Sequence, residues 1–187
     1  MTNEKKIIID FIDYYEHPQK LIEILDGIGD FLSLTKTKYG IEIISFCPDL
    51  TQNENYLNSI IQKSNIRDQK IEIITEFNNT KEFLKKISEA NISINMRYHG
   101  AVLSMIYGIP SINIVYDIHP HYPNKMNYLS KLFNMEKFFI NFSEINRDKI
   151  NNLLVELIKQ KNINIKMKTI SQNIRLGTKR EYSKIFK

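Results

Sequence analysis

The stretch Ile92–Tyr116, ISINMRYHGAVLSMIYGIPSINIVY, contains a complete strand–helix–strand unit. The apolar run Ile92–Asn95 predicts a short strand. The segment Ala101–Tyr107 predicts a compact helix, and Gly108 stands where a glycine commonly ends a helix. The extended run Ser111–Val115 predicts the second strand. This order of elements is typical of a parallel βαβ unit, in which a helix connects two parallel strands.

The turn between the first strand and the helix, Met96–Gly100, carries the side chains with chemistry. In an open parallel sheet, ligands bind beyond the carboxyl ends of the strands, where such turns lie. Arg97 and His99 are therefore expected to point into a ligand crevice beside the N-terminus of a helix, which favours anions. We predict a site here for a phosphate or carboxylate compound.

The rest of the chain repeats the alternation of strands and helices. Four further apolar runs predict strands: Lys6–Phe11, Ile41–Phe46, Ile71–Ile74 and Phe138–Asn141. Helical spacing of apolar residues predicts the helices Gln19–Thr35, Asn55–Gln62, Lys81–Ser88, Lys125–Phe133 and Glu144–Gln160. The sequence therefore predicts an α/β domain over residues 1–160, built on a doubly wound, Rossmann-like parallel sheet.

Individual residues give more local predictions about the helices. A capping box at Asn79 predicts the start of one helix, and Ser143 is predicted to cap a later one. Gly27 and Gly29 are expected to break or kink the first helix, because glycine is unfavourable in helix interiors.

The positive charge of the chain is concentrated at its end. The net charge is +5, and residues 161–187 hold eight Lys or Arg and one Glu, which leaves −2 for the remainder. The basic stretch Met167–Phe186 predicts a final, mostly polar helix that packs on the domain or on a partner lobe. A nucleic-acid partner is not expected, because no recognition motif accompanies the charge. A solvated helix and a contact with a membrane surface remain open.

Several classes of function lack their usual sequence signals. The lone Cys47 indicates no disulfide framework, and no apolar run is long enough to span a bilayer. With no signal-peptide pattern, the cytoplasm is the expected compartment, with a peripheral membrane contact left open. Glycine-rich phosphate loops are missing, and His119 and His121 have no third ligand nearby, so neither a cofactor nor a metal is expected.

The ordered set Met96–Gly100, Gly108-Ile109-Pro110, Tyr116-Asp117 and Lys125 resembles the C-terminal domain of the polysaccharide pyruvyl transferase family. Proteins of that family have two Rossmann-like lobes in a GT-B arrangement, and the resemblance covers roughly residues 6–141. It implies transfer of a pyruvyl group from phosphoenolpyruvate to a sugar of a cell-surface polysaccharide. The implied acceptor is a glycan or a lipid-linked sugar.

The resemblance also implies roles for individual residues. Arg97 would hold the carboxylate and phosphate of the donor, together with backbone N–H groups from His99 to Ala101. His99 would supply a proton to the enol carbon or, failing that, bind the phosphate. The complete set of implied catalytic and substrate-binding residues is Arg97, Tyr98, His99, Gly100, Ala101, Tyr116 and Lys125.

The chain departs from the family pattern in two ways. The loop after the first strand, residues 13–18, lacks the arginine that the family often has there, and His17 is a possible replacement. The N-terminal lobe is missing, which leaves a fragment, a subunit that pairs with a separate lobe or a second copy, or a stand-alone domain. Two other functions remain open: the nucleotide-sugar-binding lobe of a GT-B glycosyltransferase, and a non-catalytic partner domain.

Overall fold

The computed structural model describes residues 5–11, 17–35, 37–45, 50–74, 79–117 and 122–185. The strands in these ranges are β1 (Lys5–Phe11), β2 (Tyr39–Ser45), β3 (Ile71–Ile74), β4 (Ile92–Asn95), β5 (Ser111–Val115) and β6 (Phe139–Asn141). The helices are α1 (Pro18–Leu34), α2 (Leu50–Lys63), α3 (Thr80–Ser88), α4 (Tyr98–Tyr107), α5 (Tyr122–Phe133), α6 (Arg147–Lys159) and α7 (Ile163–Ile185). Short 3-10 turns at Glu136–Phe138 and Phe142–Glu144 flank β6.

The strands form one parallel sheet in the order β3-β2-β1-β4-β5-β6. The chain winds outward from β1 to β3, returns to the centre at β4 and then winds outward the other way. The predicted doubly wound α/β fold is therefore confirmed. The reversal falls between β1 and β4, where Asp10 lies opposite Asn95. Open α/β sheets bind ligands at the carboxyl ends of such strands.

The residues of β1 alternate between two helical layers. Ile7 and Ile9 belong to the larger core cluster, which includes α1 and α6, while Ile8 packs with residues of α3 and α4. These side chains are at most 1% exposed. Because side chains alternate along a strand, Asp10 lies on the same face of the sheet as Ile8, toward α4.

The helix α1 is continuous, so Gly27 and Gly29 do not break it. Both glycines make room for neighbours instead. A Cβ at Gly27 would lie 2.6 Å from the Arg147 carbonyl oxygen of α6, and one at Gly29 would lie 2.1 Å from Asn65 Oδ1. Close packing against α6 and against the turn after α2 therefore explains two glycines that local helix propensity does not.

Two predicted helix starts are also corrected. The helix α4 begins at Tyr98 rather than Ala101, because Arg97 is extended and its carbonyl already accepts the Ala101 N–H at 3.1 Å. The cap of α6 is Asn146, whose Oδ1 accepts the Lys149 N–H at 2.8 Å. Ser143, the predicted cap, instead donates a hydrogen bond to Asp117 Oδ2 at 2.6 Å.

Other local predictions are confirmed. Asn79 Oδ1 accepts the Glu82 N–H at 3.0 Å, as expected for the cap of α3. Gly108 ends α4 with φ = 68°, a conformation that favours glycine. A Cβ there would also lie 2.7 Å from the Asn164 carbonyl oxygen of α7. The same glycine therefore ends one helix and lets another approach.

The final helix α7 begins at Ile163, earlier than predicted, and packs against α4. Its buried contacts come from Ile163 and Met167, whereas Ile174 and Leu176 are exposed. Among the helices that the structure describes, none combines the length and the apolar character needed to cross a membrane.

Candidate active site

Arg97 lies directly beyond the carboxyl end of β4 and precedes the first residue of α4. Its backbone is extended, with φ = −112° and ψ = 146°. The side chain is 26% exposed, and its Nε lies 3.9 Å from Asp10 Oδ1. The guanidinium is therefore half-buried at the switch point, between a carboxylate behind it and the edge of the sheet.

The N-terminus of α4 adds backbone donors beside this arginine. The N–H groups of Tyr98, His99 and Gly100 belong to the first turn, where a helix offers no partners of its own. The Ala101 N–H is different, because it donates to the Arg97 carbonyl. The predicted donors, His99 to Ala101, therefore shift by one residue toward the N-terminus.

His99 and Tyr98 point to different surroundings. The side chain of His99 is exposed, and its ring stands edge-on to that of Tyr98 at 6.0 Å between centroids. Tyr98 is half-buried and lines an apolar groove between α4, α5 and α7, which it shares with Leu129 and Ile174. His99 is thus the more accessible of the two.

Asp10 is a functional candidate that the sequence analysis missed. It is 1% exposed, and neither carboxylate oxygen has a hydrogen-bond partner among the described residues. Burial raises the pKa of Asp10 to about 7, while the positive charge of Arg97 acts to lower it. An available signal was the single acidic residue inside the apolar run of β1, since carboxylates are rarely buried without a role.

Gly100 packs directly against this carboxylate. A Cβ at position 100 would lie 2.2 Å from Asp10 Oδ2 and 3.0 Å from Asn95 Oδ1. No side chain fits there without displacing the buried groups. The glycine of the Arg-x-His-Gly turn is therefore explained by close approach to β1.

A network of buried polar side chains fixes α4 on the sheet. Asn95 Nδ2 donates to Asn113 Oδ1 at 2.8 Å and to Ser104 Oγ at 3.1 Å. Ser104 Oγ also lies 2.8 Å from Ser93 Oγ, and it donates to the Gly100 carbonyl at 2.9 Å. These bonds join β4, β5 and the first turns of α4, and such networks hold a site in one geometry.

A second group of rings lies at the same edge of the sheet. Tyr116 follows β5, and its ring lies 5.4 Å from that of Phe142, which follows β6. The ring of His17, immediately before α1, also packs on Phe142, with 5.4 Å between the ring centroids. Lys125 is exposed in the first turn of α5. The structure thus places Tyr116 and His17 around one phenylalanine.

Some predicted features lie outside the described residues. They are the loop residues 13–16, Cys47, His119 and His121. Within the described ranges, no three His, Cys, Asp or Glu side chains are grouped closely enough to hold a metal ion.

A family model described as "Polysaccharide pyruvyl transferase" matches residues 3–118, more than half of the chain. No curated protein sequence matches the chain.

Solved structures with a similar fold include the following three. UDP-GlcNAc 2-epimerase from Neisseria meningitidis bound to UDP-GlcNAc has 14% identity and a TM-score of 0.63, covering 96% of this chain and 46% of that one. A mutant O-GlcNAc transferase from Thermobaculum terrenum has 9% identity and a TM-score of 0.62, and the match covers 91% of this chain and 32% of that one. MurG from Acinetobacter baumannii has 12% identity and a TM-score of 0.59, and the match covers 91% of this chain and 48% of that one.

At these identities the similarity shows the fold alone. The chain has the fold of one Rossmann-like lobe of a GT-B enzyme, and it spans a third to a half of the length of these structures.

Proposed function

Because the chain belongs to the polysaccharide pyruvyl transferase family, we propose that it transfers a pyruvyl group from phosphoenolpyruvate to a sugar of a cell-surface polysaccharide. The observation that carries this proposal is the position of Arg97, half-buried at the switch point of the sheet and directly before the N-terminus of α4. An arginine and a helix N-terminus together form a site for a small, doubly anionic donor.

The donor has two anionic groups, and the site has two kinds of partner for them. The planar guanidinium of Arg97 binds a carboxylate or phosphate through two parallel hydrogen bonds. The first-turn N–H groups of Tyr98, His99 and Gly100 bind the other group, assisted by the helix dipole. Tyr116, which follows β5, and Lys125, in the first turn of α5, would add further contacts to the donor.

The chemistry requires one proton at carbon. The methylene carbon of the enol gains a proton and becomes a methyl group, and positive charge develops at the adjacent carbon. One sugar hydroxyl then forms a C–O bond to that carbon. A second hydroxyl forms another as the C–O bond to phosphate breaks. Of the two hydroxyl protons released, one balances the proton used and the other leaves with phosphate, so the products are a cyclic ketal and inorganic phosphate.

His99 is assigned as the proton donor. Its ring is exposed, two positions beyond Arg97, and histidine readily exchanges protons near neutral pH. The acceptor sugar would approach from the side opposite Asp10, where Arg97 meets solvent. Because the chain spans less than half of its structural neighbours, we assign the acceptor subsite to a second lobe, a separate chain or a second copy.

Thermal unfolding with phosphoenolpyruvate tests the donor assignment. A ligand that binds the folded state raises its stability, by about 2.7 kcal/mol at a hundredfold excess over the dissociation constant. We expect phosphoenolpyruvate to raise the thermal midpoint and UDP-sugars to leave it unchanged. A rise with UDP-sugars alone would instead favour a nucleotide-sugar-binding lobe. Binding of phosphoenolpyruvate without phosphate release in the presence of cell-envelope polysaccharide would exclude catalysis by this chain alone or by copies of it. It would leave two explanations, an acceptor subsite on a separate lobe and a non-catalytic domain.

Two variants separate binding from chemistry. Arg97→Ala is expected to abolish the thermal shift, while His99→Ala is expected to keep most of it and to lose phosphate release. Arg67→Ala removes an exposed guanidinium between α2 and β3 and is the matched control, for which we expect the thermal shift of the wild type. Wild-type binding of phosphoenolpyruvate by both Arg97→Ala and His99→Ala in calorimetry would refute the site assignment.

A further inference from the structure

We propose that Asp10 is a positioning residue for Arg97, and that its carboxylate gains a proton when an anion binds to the Arg97 guanidinium. This inference rests on the proposed function only in placing an anion at Arg97. It assigns a role to the buried acid that the transfer reaction itself does not use.

The first argument is the geometry of the pair. Asp10 is the next-to-last residue of the central strand β1 and is 1% exposed, and its Oδ1 lies 3.9 Å from Arg97 Nε. The Met96 N–H donates to the Asp10 carbonyl at 3.0 Å, so the turn that carries Arg97 is bonded to β1 at the same residue. Asp10 therefore lies behind the guanidinium, on the side away from solvent.

The second argument is the shortage of other compensation for this charge. Among the described residues, Arg97 is the charged group that acts on Asp10. The neighbours supplied by β2, β4 and α4 are Ile44, Asn95 and Gly100, which carry no charge. A buried carboxylate that loses its one counter-charge is costly, and protonation relieves that cost.

An anion would remove that compensation. Once a phosphate or carboxylate pairs with the guanidinium, the positive charge is shared with the ligand, and Asp10 faces a pair that is close to neutral. The pKa of Asp10, already about 7 because of burial, then rises further. Above pH 7 the carboxylate of the free protein is ionised, so on anion binding it takes a proton from solvent, and the guanidinium no longer faces a charged carboxylate.

Calorimetry in buffers of different ionisation enthalpy measures this proton directly. We would titrate the full chain with phosphoenolpyruvate at pH 8, where the phosphate is fully ionised because its second pKa is about 6. The wild type is expected to take up nearly one proton for each anion bound. Asp10→Asn is expected to bind without proton uptake, whereas Asp148→Asn, a change at an exposed aspartate of α6, should behave as wild type.

His99 is the other titratable group beside the site, and a variant distinguishes the two. His99→Gln is expected to retain the proton uptake. Uptake that disappears in His99→Gln and persists in Asp10→Asn would overturn the role of Asp10, as would binding whose heat is independent of the buffer.

Sulfate, which stays ionised at every pH used, is the second probe. Linkage requires the sulfate affinity of the wild type to fall by up to about tenfold per pH unit above pH 7, while that of Asp10→Asn stays level. This pH dependence can be measured in the wild type even if Asp10→Asn does not fold, and a level profile overturns the inference. If sulfate binds with proton uptake but phosphoenolpyruvate does not bind, the proposed donor is refuted, while the role of Asp10 as the group that gains a proton is supported. Binding of neither anion would refute both.

Discussion

At the scale of single residues, the glycine at position 100 is explained by the side chain of Asp10, which packs directly against it. A Gly→Ala change inside a helix usually stabilises by about 1 kcal/mol. At position 100 the new methyl group would lie 2.2 Å from Oδ2 of Asp10, whose side chain is 1% exposed. We expect Gly100→Ala to destabilise the chain by about 1–3 kcal/mol, as overpacking commonly does, in denaturant unfolding.

Gly177 of α7 is the matched control for this prediction. A Cβ there meets nothing within 4 Å. Gly177→Ala should therefore stabilise the chain through helix propensity alone, by about 1 kcal/mol. Equal effects of the two substitutions would contradict the close packing of Gly100 on Asp10.

The residue scale is also where sequence reasoning was least complete. Arg97 and His99 were predicted from their position after a strand, and the structure places Arg97 at the switch point. Asp10 was overlooked because the pattern of a strand predicts which side chains are buried but not which side chains they contact. Its partner Arg97 is far along the chain, and only the pairing of β1 with β4 brings them together.

At the scale of elements, the cap of α6 gives a prediction that separates two candidate residues. Asn146 Oδ1 accepts a hydrogen bond from the Lys149 N–H and is the N-cap of α6. The Ser143 hydroxyl instead donates a hydrogen bond to Asp117. Asn146→Ala is expected to cost about 1 kcal/mol of stability, the usual value of an N-cap. Ser143→Ala should cost less than about 0.5 kcal/mol, because it removes an exposed hydrogen bond. Urea denaturation measures both, and a larger loss for Ser143→Ala would contradict the observed cap.

The elements show which signals are local and which are not. The cap at Asn79 and the end of α4 at Gly108 were predicted correctly, because both depend on residues within one turn. Gly27 was misread because its function depends on Ile150 and Arg147 of α6, which lie on a distant part of the chain. In α1, a glycine that looks like a helix breaker in the sequence instead marks a close contact.

At the scale of the whole molecule, the fold class followed from the alternation of strands and helices, but the strand order did not. The order places the ends of β1 and β4 side by side and so creates the topological switch point. The polar face at this point, with Asp10 opposite Asn95 and Asn95 opposite Asn113, is a property of the sheet register. No periodicity along a single strand contains that information.

The buried carboxyl of Asp10 also makes the stability of the whole chain depend on pH. Burial raises its pKa from 3.8 in the unfolded reference to about 7 in the folded chain. Below pH 3.8 both states are protonated, so Asp10 contributes nothing. Between pH 3.8 and about 7 the unfolded chain ionises first, and stability falls as the pH rises. Above pH 7 the loss is complete, at about 4 kcal/mol, since each of about three pKa units corresponds to about 1.36 kcal/mol.

We therefore expect Asp10→Asn to gain stability over the wild type as the pH rises from 4 to 7, and to keep that gain at higher pH. Urea denaturation of both proteins across this range measures the difference. Hydrogen bonds from Arg147 and Lys149 lower the pKa values of Asp30 and Glu144, which favours the folded chain at higher pH, but this effect is common to both proteins and cancels. Asp148→Asn should show no such trend. A difference that is constant with pH would mean that the folded chain holds Asp10 ionised at no cost, and that Arg97 compensates its charge completely.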